Sequence, residues 1–282
     1  MQARSKPDRW CGMITGLLSA VAAWGQTAPA SAPATATALD PELDRILTQV
    51  EQRRVQDLHA RLSWRQEYVV DEPGEAVTKC GEIWYQQAEP VARFLIHFNE
   101  WRRGGEKRKL DERHLFDGCW YVEVQSQTKT VQRREVRRPD DPGDPYKVGE
   151  GAFPLPFGQK KEDILREFEV ALLSPADDDP PNTDHLRLTP RAGTRTGREY
   201  KELEFWVDRS GPTVGLPLKV RVAKLDGTGR LNSHITIVFS EPQLNRGLRP
   251  DMFEIKTPAG YTEMVEKLEP VAPPAGAREG SK

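Results

Sequence analysis

Five histidines are the side chains of this 282-residue chain best suited to proton transfer or metal ligation: His59, His97, His114, His185 and His234. They are scattered, no H-E-x-x-H pair occurs, and several lie on stretches that read as strands, opposite apolar neighbours. That pattern belongs to solvated strand faces before it belongs to catalysis. Asp177-Asp178-Asp179 has the charge for a weak Ca²⁺ site, yet an acidic triplet running into Pro180-Pro181 is first of all a solvated loop. No nucleophile elbow, Walker loop or G-x-G-x-x-G is present. The expectation is a protein that is not an enzyme, with no cofactor and no metal.

Charge gathers at turns instead. Arg102-Arg103 and Lys107-Arg108-Lys109 flank Gly104-Gly105, and Arg133-Arg134 and Arg137-Arg138 lead into a proline-rich stretch. Such clusters can meet anionic headgroups or a protein partner, or guard a hairpin end against edge pairing. Nucleic acid is not expected as a partner: 41 Lys+Arg against 43 Asp+Glu leaves a formal charge of −2 and no basic footprint. Cys80 and Cys119 have none of the spacing of a zinc site. A disulfide between them stays open, although it needs Cα atoms within about 7 Å and their strands would not be neighbours in a simple meander.

The elements that must hold these residues are mostly strands. Asp40-Pro41 starts one amphipathic helix over roughly 41–56, with Leu43, Ile46, Leu47 and Val50 at helical spacing. The period then switches to two. Leu58, Ala60, Leu62, Trp64 and Tyr68 share one face, and Phe94, Ile96 and Phe98 alternate in the same way. With 37% hydrophobic and 30% charged residues, strands can build a core only by such alternation. Asp117-Gly118 and Asp226-Gly227 mark hairpins. Residues 137–166 form a proline- and glycine-rich insertion ending in a short helix near Lys160–Arg166, and Met252–Lys256 reads as a final strand. The predicted fold is mainly β (α+β): an open, curled antiparallel half-barrel of about 11–12 strands, since so long a sheet cannot stay flat. An N-terminal helix and a short helical lid would cover its concave face.

The ends read as processing and tail segments. Arg4, Lys6 and Arg9 precede an apolar run over Met13–Trp24 and then small residues, the pattern of a secretory signal peptide over about 1–25. An Ala/Pro/Thr-rich flexible leader follows over 26–39, the domain over 40–268, and a disordered tail over 269–282. Cys11 lies before the apolar run, where it cannot serve as a lipid anchor. A soluble, periplasmic protein without a lipid anchor is expected.

Taken in order, Leu58-His59-Ala60-Arg61-Leu62, Gly81-Glu82-Ile83-Trp84-Tyr85 and Asp117-Gly118-Cys119-Trp120-Tyr121 resemble the LolA family of periplasmic outer-membrane lipoprotein carriers. His185-Leu186-Arg187-Leu188-Thr189-Pro190-Arg191 and Phe253-Glu254-Ile255-Lys256-Thr257-Pro258 agree, over roughly 40–268. Phe153-Pro154-Leu155-Pro156-Phe157-Gly158 also looks like a LolA-like domain common in planctomycetes. The resemblance implies a half-barrel that takes the acyl chains of a lipid or lipoprotein in an apolar cup. The lining it implies is Leu62, Trp64, Trp84, Phe94, Ile96, Phe98, Trp120 and Val122, with Phe153, Leu155 and Phe157 on the lid. The same residues would serve equally as ordinary core against the helices. An inner- or outer-membrane protein partner and a monomeric state are further expectations. One position departs: family carriers have an arginine before the proline of the corner after the tryptophan strand, and here Glu89 precedes Pro90, with Arg93 the nearest basic residue. An envelope-sensing or scaffolding module of the same fold is the alternative.

Overall fold

The computed structural model describes residues 39–70, 73–88, 91–141, 146 and 159–269. Every element below lies in the compact unit that begins at Pro41.

Helix α1 (Pro41–Gln52) opens with Pro41 at its first position and Glu42 and Asp44 in its first turn, where the helix dipole favours carboxylates. Leu43, Ile46, Leu47 and Val50 are all buried. The helix stops short of the expected 56: Val55 is drawn into the core, and Asn245 Oδ1 accepts from the Gln56 amide at 2.9 Å, which holds the chain extended.

Twelve strands then make one sheet: β1 (Asp57–Tyr68), β2 (Ala76–Gln86), β3 (Arg93–Arg103), β4 (Glu106–Phe116), β5 (Trp120–Gln125), β6 (Thr130–Glu135), β7 (Phe168–Leu173), β8 (Thr183–Pro190), β9 (Tyr200–Asp208), β10 (Pro217–Leu225), β11 (Leu231–Leu244) and β12 (Thr262–Glu266). Their order is β12-β6-β5-β4-β3-β2-β1-β11-β10-β9-β8-β7. Two meanders meet where β1 pairs with β11, and the ends β12 and β7 do not pair with each other, so the curled sheet is an open half-barrel. Among the described residues, helices α2 (Lys161–Glu167) and α3 (Thr196–Glu199) and short 3₁₀ turns at Gly211–Thr213 and Pro250–Phe253 join them.

The register sorts residues onto two faces, because directly opposed antiparallel residues point the same way. One face carries Leu58, Ala60, Leu62 and Trp64 of β1, opposite Tyr85, Ile83, Gly81 and Lys79 of β2 and continuing into Phe239 and Ile237 of β11. It also carries Asp184 of β8, to which Arg45 of α1 donates at 3.3 Å, so this is the face that bears α1. The opposite face has its own cluster: Leu115, Val122, Val124 and Val131 under Phe253, with Trp84, Leu95 and Trp120 packed alongside.

That second cluster corrects two expectations. Met252–Lys256 is not a strand: Pro250–Phe253 is a 3₁₀ turn that drives Phe253, 2% exposed, into the opposite face. The last strand is β12, which pairs in parallel with β6. All five of its residues are exposed, so it has no buried alternation to betray it. The chain must travel from β11 at the centre to the far edge, and residues 245–261 cross the opposite face to do so.

Candidate binding site

The helix-bearing face brings together Leu62, Trp64, Phe94, Ile96 and Phe98. Trp84, Trp120 and Val122 lie on the other face and cannot line the same surface. Trp84 opposes His59 and Leu95, Leu95 opposes Leu115, and Leu115 opposes Val122, so all follow the odd register. Trp84 stacks on His59 at 5.1 Å, interplanar 7°, within the Phe253 cluster. The eight residues therefore split between two surfaces, because a two-residue period says which neighbours share a face within a strand but not which face of the next strand aligns with it.

The helix-bearing face is not uniformly apolar. Lys79 is 5% exposed and donates to both carboxylate oxygens of Glu112, at 2.8 and 2.9 Å. His114, fully buried, donates from Nε2 to Glu112 Oε1 at 2.7 Å, and its Nδ1 stands 2.7 Å from the Tyr121 hydroxyl. Glu123 and Arg134 follow on β5 and β6, 3.9 Å apart and both buried. Burial by itself would raise the Glu112 pKa, but the hydrogen bond and charge of His114 and the Lys79 ammonium outweigh it and bring it down to about 2. Trp64 and Phe98, two of the expected lining residues, pack over the Lys79 ammonium, each ring 5.8 Å away. Around β4–β6, then, the face is ionic where a wholly greasy cup was expected. His114 is likewise no solvated histidine. The signal for this network was in the sequence: Glu112 and His114 fall in the same alternate register as Phe116, as Lys79 does with Val77 and Ile83.

The other half is apolar. Val220, Phe205 and Leu186 run across β10, β9 and β8, buried on the face that bears α1. The cover is incomplete. Ile237 stays half-buried, as do Val222, diagonal to it, and Leu203, opposite Val222. Ile96, on β3 of the same face, is half-buried too.

Of the expected lid, Phe153, Leu155 and Phe157 lie outside the described residues. Tyr146 does not: its ring meets Phe116 at 5.8 Å and Phe94 at 6.4 Å, and its hydroxyl donates to the Ala92 carbonyl at 2.7 Å. Gln159 donates to the Tyr146 carbonyl at 2.8 Å. Phe94 is thus packed beneath Tyr146.

Glu89 and Pro90 also lie outside the described residues. Arg93 sits on the opposite face, donating to Gln86 Oε1 at 2.6 Å with its guanidinium 4.7 Å from the Phe253 ring. It faces away from α1. Cys80 and Cys119 are both free, with β3 and β4 between their strands. Asp179 of the acidic loop accepts from the Trp206 indole at 2.5 Å and stands 3.3 Å from His185. The basic hairpin end is balanced locally: Arg102 and Lys107 on Glu100, Arg108 on Glu106 at 2.8 Å, and Arg103 on Glu75 at 3.3 Å. Among the described residues no helix is long and apolar enough to cross a membrane.

The geometry defines a class, an open antiparallel half-barrel with a helix-covered face, part apolar and part ionic. No family model and no curated protein matches the chain. Solved structures do. An uncharacterized conserved protein from Thermus thermophilus is 11% identical, covering 80% of this chain and 99% of its own, at TM-score 0.43. A DUF1329 family protein from Desulfovibrio piger is 16% identical, covering 76% and 95%, at TM-score 0.37. A LolA superfamily protein from Nitrosomonas europaea is 14% identical, covering 75% and 97%, at TM-score 0.33. The superfamily that the sequence motifs resemble is thus among the matches. Scores below 0.5 transfer no residue and no activity to this chain.

Proposed function

We propose that this is an exported, LolA-like periplasmic protein that binds a lipid acyl chain on its helix-bearing face and carries the lipid or acylated cargo between membranes. One observation supports the reading: Leu203, Val222 and Ile237 form a contiguous apolar stripe that α1 and α2 leave half-buried. Covering such a stripe yields about 25 cal/mol per Å² without any catalytic side chain. The ligand contact centres on that stripe and runs towards Leu62 and Trp64, while the ionic flank around Lys79, Glu112 and His114, which Ile96 opposes, confines the acyl chain to the β1–β11 side. Phe153, Leu155 and Phe157 remain candidates for the lid.

The same ionic flank favours a second reading, an envelope-sensing or scaffolding module, because it shrinks the apolar surface available to a cargo with several acyl chains. The two part in one experiment. The full chain is purified from the envelope fraction of its host and extracted with organic solvent, and the extract is examined by mass spectrometry. Near-stoichiometric lipid supports the carrier. Lipid-free protein that also fails to take up a fluorescent fatty acid, yet holds a stable protein partner, supports the module.

A further inference from the structure

The sheet ends in two edges that differ in protection. β12 carries two carboxylates, Glu263 and Glu266, among its five residues, and edge charges of this kind blunt strand pairing. β7 reads Phe168-Glu169-Val170-Ala171-Leu172-Leu173, with one charge, no lysine, no proline and Leu172 37% exposed. It pairs with β8 on one side and, among the described residues, with no strand on the other.

We propose that β7 is a self-association edge: two copies of this chain join β7 to β7 antiparallel across a two-fold axis at Val170, so that one sheet runs on into the next. The occupant is a second copy because the strand complements itself. Opposed antiparallel residues share a face. With Val170 opposite Val170, Phe168 meets Leu172 of the second copy on the helix-bearing face, and Glu169 meets Ala171 on the other. No like charges are opposed. Ala171 is small and exposed, and its neighbour in β8 is Arg187, whose side chain is 45% exposed and only loosely engaged by Glu202 at 3.8 Å and Glu204 at 3.9 Å. Glu169, 73% exposed and held by Arg191 at 3.3 Å, can reach over Ala171 of the second copy to that guanidinium, and symmetry makes the contact twice. The contact is a six-residue strand, so the area is at the small end of specific interfaces and the dimer is reversible. This replaces the monomer expected from sequence and does not depend on lipid binding.

The test is register-specific. In the full chain with Cys11, Cys80 and Cys119 replaced by Ser, Val170→Cys places two thiols on the axis. Opposed Cα atoms there lie about 4.5–5.5 Å apart, within disulfide reach. Oxidation gives a covalent dimer with Val170→Cys and little with Glu169→Cys. Sedimentation at ~100 µM, well above a weak dissociation constant, gives twice the monomer mass for the unmodified chain. Ala171→Glu, an exposed change that leaves circular dichroism unaltered, sets a carboxylate directly opposite Glu169 of the second copy, twice over, and returns it to the monomer mass. A monomeric unmodified chain at that concentration overturns the proposal. So does a dimer that survives Ala171→Glu, or one that cross-links through Glu169→Cys as readily as through Val170→Cys.

Discussion

Lys79 and Glu112 lie on strands separated by β3, and neither charge would be buried without the other. A buried pair of this kind contributes little net stability compared with apolar residues of the same volume, but halving it leaves an uncompensated charge. Glu112→Ala is therefore expected to cost about 3–5 kcal/mol, and the double change Lys79→Met with Glu112→Leu to recover most of that. Urea unfolding of the three proteins measures both. The pH dependence follows from the same geometry. The Glu112 pKa is lowered from 4.5 to about 2 in the fold, so the folded state holds fewer protons than the unfolded chain between those values. The stabilisation is complete above about 4.5 and is lost as pH falls towards 2, on the order of 3 kcal/mol. Glu112→Gln should flatten that part of the stability–pH curve; a curve of unchanged slope would mean Glu112 does not carry it. Individual side chains were only partly legible in advance. The alternation that placed Leu62 and Trp64 together also places Glu112 and His114 on a buried register, but polar residues in a strand read by default as the wet face.

Among the elements, β2 depends on a residue without a side chain. A Cβ on Gly81 would stand 2.0 Å from the His97 carbonyl oxygen, closer than any real contact, at the point where the β2–β3 register shifts between Cys80 and Gly81. Gly81 sits within the Gly-Glu-Ile-Trp-Tyr motif, and its cause is steric: the bulged β3 backbone closes over it. Gly81→Ala must push β3 away from β2 and is expected to destabilise by about 3 kcal/mol or more; a melting temperature within a degree or two of the unmodified chain would refute the close approach. Gly215 plays the same part for α1. Its φ is +79°, and a Cβ there would meet the Gln49 carbonyl oxygen at 2.6 Å. Elements with an internal periodicity were readable. α1 showed its 3.6-residue stripe, β1 and β3 their alternation, and Asp117-Gly118 its hairpin. Elements defined by what lies beside them were not. β12 exists because β6 offers an edge, and the turn at Pro250–Phe253 exists because Phe253 fills a hollow made by β4, β5 and β6.

Over the whole chain the decisive fact is that one sheet supports two apolar surfaces. Residues 245–261 bury the cluster around Phe253, 2% exposed, on the opposite face, whereas Leu203, Val222 and Ile237 stay half-buried on the helix-bearing face. The sequence pattern supplied both sets of residues without separating them, since pairing register between distant strands is a property of the assembled sheet. Under the proposed lipid binding, the separation predicts face-specific uptake. Ile237→Glu places a carboxylate in the uncovered stripe, where an acyl chain would have to desolvate it at a cost of several kcal/mol. Fluorescent fatty-acid uptake by that variant should fall at least tenfold. Trp120→Gln makes a comparable loss of apolar surface on the sealed face, in a half-buried position beside the Phe253 cluster. It should lower the melting temperature while leaving uptake by the folded protein unchanged. If the two variants instead lose uptake equally, with both still folded by circular dichroism, the ligand does not discriminate between the faces and the helix-bearing surface is not its site.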